Sequence, residues 1–313
     1  MGFKRNLDQE FISALNHLYD QPNSWWRKLV DSKDVFFAIR NNYINAYSSG
    51  MSIGKITREK DVIRLLVNEE YLTLKNQKPY VDLLSSGPAD IDRTRPIAAN
   101  EKDYIFNLPR IKNRAGRFAG DERKGTNKVA CCILTVLDME AAFEDKKDQD
   151  PDPENEEEVL TKKGRMDLIV LTPSLKVITI EAKLYANKDL RSEVTPKVCG
   201  QLAEYHQFLS KHQHQSQLKE AYQNVVSIFG KLRGNFFKKR AGHTNWRNAQ
   251  NDPNTISIDP IPRLLIFGFD ELQKKGVKKD AAQIQKMVSF SGFSPKSVIP
   301  IGKTTSIKET HLA

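Results

Sequence analysis

Long apolar runs, cysteine and histidine are all scarce in this chain of 313 residues, and each shortage excludes something. No apolar run approaches the roughly 18 residues that a membrane-spanning helix needs. The opening MGFKRNLDQEF lacks the apolar stretch of a secretory signal. A cytoplasmic protein with no membrane association is therefore expected. The three cysteines, Cys131, Cys132 and Cys199, give neither an even disulfide framework nor the paired spacing of a zinc site or a four-cysteine iron-sulfur cluster, so they read as reduced core thiols. His243 has no second histidine or cysteine at ligand spacing. No internal repeat is visible.

Charge is abundant but unevenly placed. The chain carries a net +10, with 39% hydrophobic and 28% charged residues, the balance of a globular protein. Between Glu144 and Glu158, however, EDKKDQDPDPENEEE holds nine acids against two lysines, so the remainder carries +17. A surplus of that size suits a polyanion, because each cation that meets a phosphate releases condensed counterions. The acidic, proline-containing stretch has nothing to bury and reads as a solvated loop.

The length suits one large domain or two ordinary ones, and the pattern favours two. Up to about residue 95, an amphipathic helix with Phe11, Leu15 and Leu18 at helical spacing precedes VFFAIRNNYINAYSSGMSIGKIT, a meander of short strands broken at Asn41-Asn42 and Ser48-Ser49-Gly50. Prolines and small polar residues between Ser85 and Asn100 mark a linker. A helix is then expected over Glu122 to Glu140, with Val129, Cys132, Ile133, Val136 and Leu137 as its apolar stripe. Strands over Met166 to Leu171 and Val177 to Leu184 are joined by TPSLK, short enough for a hairpin. Thr195-Pro196 starts a helix to about His212. A helix near Lys219 to Lys231, a basic loop, the apolar strand RLLIFGF, a helix over Ala281 to Val288 and the strand SVIPIG complete the chain. The expected architecture is α/β: a smaller N-terminal α+β domain over residues 1–95, serving a partner, a sensor or substrate binding, then a domain over 100–313 with helices on a mixed sheet.

The stretch GRMDLIVLTPSLKVITIEAKL puts charge into strands that are otherwise almost wholly apolar. Strand side chains alternate, so Glu181 and Lys183 share one face while Ile178, Ile180, Ala182 and Leu184 share the other; Asp167 shares its face with Arg165. One account is the wet face of an antiparallel sheet carrying a surface ion pair worth under about 1 kcal/mol. The other is a site.

An Asp in one strand, a short hairpin and Glu-Ala-Lys closing the next strand resemble the motif of the PD-(D/E)XK, or restriction-endonuclease-like, nuclease superfamily. Met166 stands where the family name has proline. Gln201 and Tyr205 in QLAEY resemble the glutamine-to-tyrosine signature of its RecB-like branch. The resemblance covers about Glu122 to Lys303, and implies a restriction-endonuclease-like mixed sheet flanked by helices. It also implies an upstream acid on the first core helix, for which Glu122 is preferred over Glu140; helix capping is the other account of Glu122.

The residue types suit phosphodiester hydrolysis independently. Asp167 and Glu181 are the hard carboxylate ligands that Mg2+ or Mn2+ prefers, with the Ala182 carbonyl as a further ligand. Lys183 can orient the attacking water and stabilise developing charge. Gln201 and Tyr205 lie one helical turn apart, placed to hold a phosphate or brace the lysine, unless Tyr205 is core and Gln201 its boundary. In KLRGNFFKKRAGHTNWR, the cations Lys231, Arg233, Lys238, Lys239, Arg240 and Arg247 alternate with Phe236, Phe237 and Trp246. That mixture suits a strand-binding loop, or a solvated loop anchored by buried aromatics. The expected function is a Mg2+- or Mn2+-dependent nuclease acting on DNA, endonuclease favoured, with a bacterial anti-phage or restriction effector as the setting. The competing expectation is a catalytically silent nucleic-acid-binding or protein-interaction module. Homo-oligomer or partner contacts would use the N-terminal domain.

Overall fold

The computed structural model describes residues 3–72, 80–83, 98, 100–142, 165–192 and 194–312. Its first helix, α1 (Gln9–Asp20), starts where a cap is available: Asp8 accepts the Phe11 N–H at 2.6 Å. Ser24 caps α2 (Trp25–Val30) in the same way, accepting from Arg27 at 3.1 Å. The meander follows as a five-stranded antiparallel sheet in sequence order: β1 (Phe36–Ile39), β2 (Tyr43–Ser48), β3 (Met51–Glu59), β4 (Val62–Asn68) and β5 (Tyr80–Asp82). Its turns use the residues expected of them. Asn42 sits at φ 60°, and Ser49 and Gly50 at 55° and 79°, the left-handed pair that a two-residue hairpin requires. A Cβ on Gly50 would lie 2.7 Å from the Arg123 carbonyl oxygen, so this turn is pressed against the later helix Asp121–Cys132.

Short helices α3 (Glu69–Leu72), α4 (Glu101–Phe106), α5 (Leu108–Phe118) and α6 (Asp121–Cys132) lead to the second sheet. There β6 (Val136–Ala142), β7 (Arg165–Leu171) and β8 (Lys176–Leu184) run antiparallel. After α7 (Lys197–Leu209), α8 (His212–Lys231), α9 (Asn235–Ala241) and α10 (Thr244–Asn251), the short β9 (Ser257–Ile258) pairs with the start of β8. The strand β10 (Arg263–Phe267) lies parallel to β8, and β11 (Val298–Ile301) parallel to β10; α11 (Lys274–Met287) connects them, and α12 (Glu309–Leu312) closes the chain. The order β11-β10-β8-β7-β6 is a mixed sheet, as the sequence suggested. Among the described residues no helix is long and apolar enough to cross a membrane.

Three expectations need correction. The helix expected over 122–140 stops at Cys132, and Val136 and Leu137 belong to β6. Ile-Leu-Thr-Val supplies β-branched residues that favour a strand, and pairing with β7 outweighs the helical spacing. Thr195 does not cap α7, whose N-cap position is Pro196 with no side-chain hydrogen bond. The basic stretch after Lys231 is two short helices rather than a loop. The expected linker at 85–100 and the acidic loop at 144–158 lie largely or wholly outside the described residues.

The two sheets meet in one apolar core. Phe11 and Leu15 of α1, Phe37, Ile44 and Ile56 of the first sheet, Leu137, Ile169 and Val177 of the second, and Tyr222 and Val225 of α8 form a single buried cluster. A second cluster joins Phe36 and Tyr47 to Val129 of α6 and to Leu168, Val170, Ile178 and Ile180, the other face of β7 and β8. Inside this contact Asp138 of β6, 1% exposed, accepts from Arg5 Nε at 2.9 Å and from Arg40 Nη1 at 2.6 Å. Removing one partner of a buried ion group leaves charge without compensation, at about 3–5 kcal/mol. Asp138→Ala is therefore expected to lower stability by about that amount in denaturant unfolding followed by circular dichroism. A fragment beginning at residue 100 loses both arginines and half of the shared apolar cluster, and its expected fate is aggregation, read by size-exclusion chromatography. A soluble, cooperatively folding fragment would show that the second sheet needs no help from the first 95 residues.

Candidate active site

The charged residues of the quoted stretch are not on a wet face. Glu181 is 2% exposed and Lys183 6%, because α7 lies over the face of β8 that carries them and sets Tyr205 against Glu181. Lys183 Nζ lies 2.6 Å from Glu181 Oε1 and 3.7 Å from Glu122 Oε1. A surface ion pair does not account for this arrangement. The Tyr205 hydroxyl is 3.0 Å from Glu181 Oε2 and 2.5 Å from the Arg165 carbonyl oxygen; its single proton is shared between two acceptors.

Register explains how Asp167 arrives. The β7–β8 ladder ends at Leu168 and Ile180. Beyond it β8 continues beside β10, with Glu181, Ala182 and Lys183 opposite Leu264, Leu265 and Ile266. Where the strands part, Asp167 Oδ2 takes the place of a ladder carbonyl and accepts the Ala182 N–H at 2.7 Å. Ala182 thus meets the site through its amide N–H.

Both candidate upstream acids approach the site, from opposite sides. Glu122, in the first turn of α6, accepts from Leu184 N at 2.9 Å and from Asn187 Nδ2 at 2.7 Å, which leaves its other oxygen toward Lys183. Glu140 stands in β6 between Met139 and Ala141, which pair with Leu168 and Met166, so it faces Asp167 across the ladder. Its backbone is left-handed, at φ 52°, and its carboxylate lies 3.6 Å from Arg165 Nη1. Glu122 thus meets Lys183 while the Glu140 charge acts on Asp167, so both candidates stand at the site. Gln201 lies one turn before Tyr205 on α7, partly buried, and its side-chain oxygen has no hydrogen-bond partner. Asn187 went unnoticed in the sequence because its Oδ1 makes an ordinary local turn contact, accepting from Asp189 N at 2.9 Å.

The electrostatics are those of too many carboxylates in too little water. Burial, then the Glu181 and Glu140 charges, push the Asp167 carboxyl well above the usual carboxylate range. Burial also raises Glu181, opposed by Lys183 and Tyr205. Burial pulls Lys183 down, but Glu181, Glu122 and Asp167 more than offset it and leave the ammonium at about 12. Lys183 is thus a cation at neutral pH, able to offer charge and hydrogen bonds but not to accept a proton. Burial and Glu181 likewise push the Tyr205 phenol up.

Among the described residues, no group of three or more His, Cys, Asp or Glu side chains stands ready to hold a metal ion. The donor set nevertheless fits a hard divalent cation: Asp167 and Glu181 are carboxylate oxygen ligands of the right type, brought together where the two strands part.

The basic segment lies elsewhere. Asn245 Nδ2 donates to the Leu171 carbonyl at 3.0 Å and Trp246 Nε1 to the Leu134 carbonyl at 2.8 Å, at the end of β7 opposite to Asp167, about 13 Å along the strand. Phe237 and Trp246 are fully buried, and with Trp26, Phe37, Phe229 and Phe236 they form an aromatic cluster. Arg240 points inward, 2% exposed: it donates to the Ala130 carbonyl at 2.7 Å and lies over the Phe236 ring, and burial lowers its guanidinium to about 10. The strand-binding reading therefore fails for Arg240 and for the aromatics. Arg233 pairs with Asp20, while Lys231, Lys238, Lys239 and Arg247 are exposed, far from the carboxylates.

No family model, curated protein or solved structure matches the chain.

The raised Asp167 carboxyl gives a test that needs no substrate. A carboxyl whose pKa is higher folded than unfolded binds its proton more tightly in the fold, so stability falls as pH rises above the ordinary aspartate value, about 4. Asp167→Asn keeps an acceptor for Ala182 and removes the charge. Thermal unfolding without metal is expected to show a more stable variant at pH 7, with the gain disappearing as the pH is lowered toward 4. A variant less stable at both ends would show that Asp167 is held by contacts and not strained by charge.

Proposed function

We propose that this protein is a Mg2+- or Mn2+-dependent nuclease that cleaves DNA internally, on a restriction-endonuclease-like core. The observation that carries the reading is Lys183, a buried ammonium held between Glu181 and Glu122 beside Asp167. A folding role alone gives no reason to gather three acids and one lysine where two strands part. The order of elements supports it: a helix (α6), three antiparallel strands (β6, β7, β8), a helix (α7) and a parallel strand (β10) around the site.

A bound divalent ion would be held by Asp167 and Glu181 and would supply Lewis acidity at a phosphoryl oxygen. The remaining work belongs to the chain. The Lys183 ammonium can donate to the attacking water or a non-bridging oxygen and offset the charge that builds on the phosphate. Glu122, fixed by Leu184 N and Asn187, holds that ammonium in place. Tyr205 orients Glu181, and the unpartnered Gln201 oxygen can accept from water in the site. Packing of α7 over this face excludes bulk water, which strengthens each of these interactions.

One observation favours a silent module on the same core: both Glu181 oxygens are already engaged, one by Lys183 and one by Tyr205. Incubation with circular and linear DNA separates the readings. With Mg2+ or Mn2+ the circle is expected to be nicked or linearised, and EDTA to abolish this. Lys183→Ala is expected to lose roughly 10²–10³ in single-turnover rate while retaining DNA binding in a gel shift. Glu181→Ala should lose both cleavage and the Mn2+ heat signal in titration calorimetry. Wild-type turnover in the lysine variant would overturn the assignment.

A further inference from the structure

The carboxyl ends of β8 and β10 carry more than the site. Gly125 of α6 is pressed against the Phe267 ring, where a Cβ would come within 2.3 Å, and Gly276 of α11 against the Tyr185 hydroxyl, at 2.5 Å. Tyr185 directly follows β8 and donates its N–H to the Phe267 carbonyl at 2.7 Å. Two helices thus converge on the edge where Lys183 and Glu122 lie, which is where open α/β sheets place their ligands.

Both helices bring cations there. On α11, Lys275, Lys278 and Lys279 follow i, i+3, i+4 spacing and are exposed, while Val277 and Ile284 fill the opposite, buried stripe. The three have no ion-pair partner among the described residues; the neighbouring Lys274 is held by Glu271 at 2.9 Å. At the α5–α6 corner, Arg117, Arg123 and Lys124 are exposed; among the described residues their one ion-pair partner is the solvated Asp121, 3.7 Å from Lys124, and Arg123 Nη1 lies 3.5 Å from Met51 Sδ. Leu272 is 93% exposed beside the first group and Phe118 49% beside the second, apolar surface of the kind that contacts sugars and base faces.

We infer that these two flanks, Arg117, Arg123 and Lys124 on one side and Lys275, Lys278 and Lys279 on the other, form the DNA-binding surface, holding the phosphate backbone across the carboxyl ends of β8 and β10. The inference rests on the nuclease reading and names the route by which its substrate reaches the site. Phosphate contacts position a duplex without reading its sequence, so recognition by this surface is general for DNA and depends on salt.

Three full-length variants test it: Arg117→Gln with Arg123→Gln and Lys124→Gln; Lys275→Gln with Lys278→Gln and Lys279→Gln; and, as the comparison, Lys238→Gln with Lys239→Gln and Arg247→Gln. Fluorescence anisotropy with a short labelled DNA duplex in EDTA gives affinity across a salt series, and circular DNA with Mg2+ gives cleavage. Each flank variant is expected to flatten the log-log salt slope by about 0.9 for every phosphate that is no longer neutralised, and to lower kcat/KM while kcat at saturating DNA holds. The comparison variant should keep the wild-type slope. An unchanged slope in both flank variants, or a loss confined to the comparison variant, overturns the surface even if the wild type cleaves. Flattened slopes in a protein that never cleaves would keep the surface and remove the nuclease reading.

Discussion

A single buried carboxylate, Asp138, holds the two halves of this protein to one geometry. It sits on β6, the edge of the second sheet, between Arg5 of the N-terminal arm and Arg40 at the end of β1. Arg40 also donates to the Met139 carbonyl at 2.8 Å, so the first sheet grips both the side chain and the backbone of β6. Two residues on, β6 carries Glu140, which faces Asp167. The position of one site carboxylate, and the charge felt by another, thus depend on residues some hundred positions earlier in the chain. One acid against two guanidiniums leaves net positive charge in the core, a state that persists only while the surrounding apolar cluster excludes rearrangement.

The same logic, with signs reversed, governs the site. Asp167, Glu181, Glu122 and Glu140 converge on a region where Lys183 and Arg165 are the cations. A fold optimised for stability alone would protonate, replace or expose some of these acids. Keeping them together in a largely covered site stores unfavourable electrostatic energy that an added cation would relieve. The parting of β7 and β8 provides the opening: a regular ladder would satisfy the Ala182 N–H with a carbonyl and leave Asp167 no role.

Much of this was legible in the sequence, and the failures have definite causes. The hairpin turns were marked by Asn42 and Ser49-Gly50 because few residues tolerate a positive φ. The alternation in β7 and β8 placed Asp167, Glu181 and Lys183 together, since period two is a local property. Whether their face was wet or covered was not local, because it depends on α7, whose docking no strand pattern reveals. The helix expected over 122–140 merged a true helix with a strand: helical spacing and a run of β-branched residues overlap from Ile133 to Leu137, and only a partner strand decides between them. The basic segment misled for a related reason. Cations alternating with aromatics look the same whether the aromatics meet bases or Trp26 and Phe37, and here they fill the core.

On the proposed function, the state of Lys183 limits how the chemistry would divide among the remaining groups. An ammonium held at about 12 by three carboxylates cannot take a proton from water near neutrality, so it can only donate or attract. Tyr205, raised by burial and by Glu181, is equally a donor. Proton acceptance would then fall to a carboxylate or to the phosphate of a nucleic-acid substrate. Glu181 already receives two donors and Glu122 is committed to Leu184 and Asn187. Asp167, whose carboxyl is pushed up by burial and by its neighbours, accepts one hydrogen bond from the described residues, at Oδ2. A cation bound there would draw its pKa back down and end its capacity as a base, leaving the phosphate as acceptor. In a nuclease of the proposed kind, charge would therefore do more of the catalytic work at this site than proton transfer by side chains.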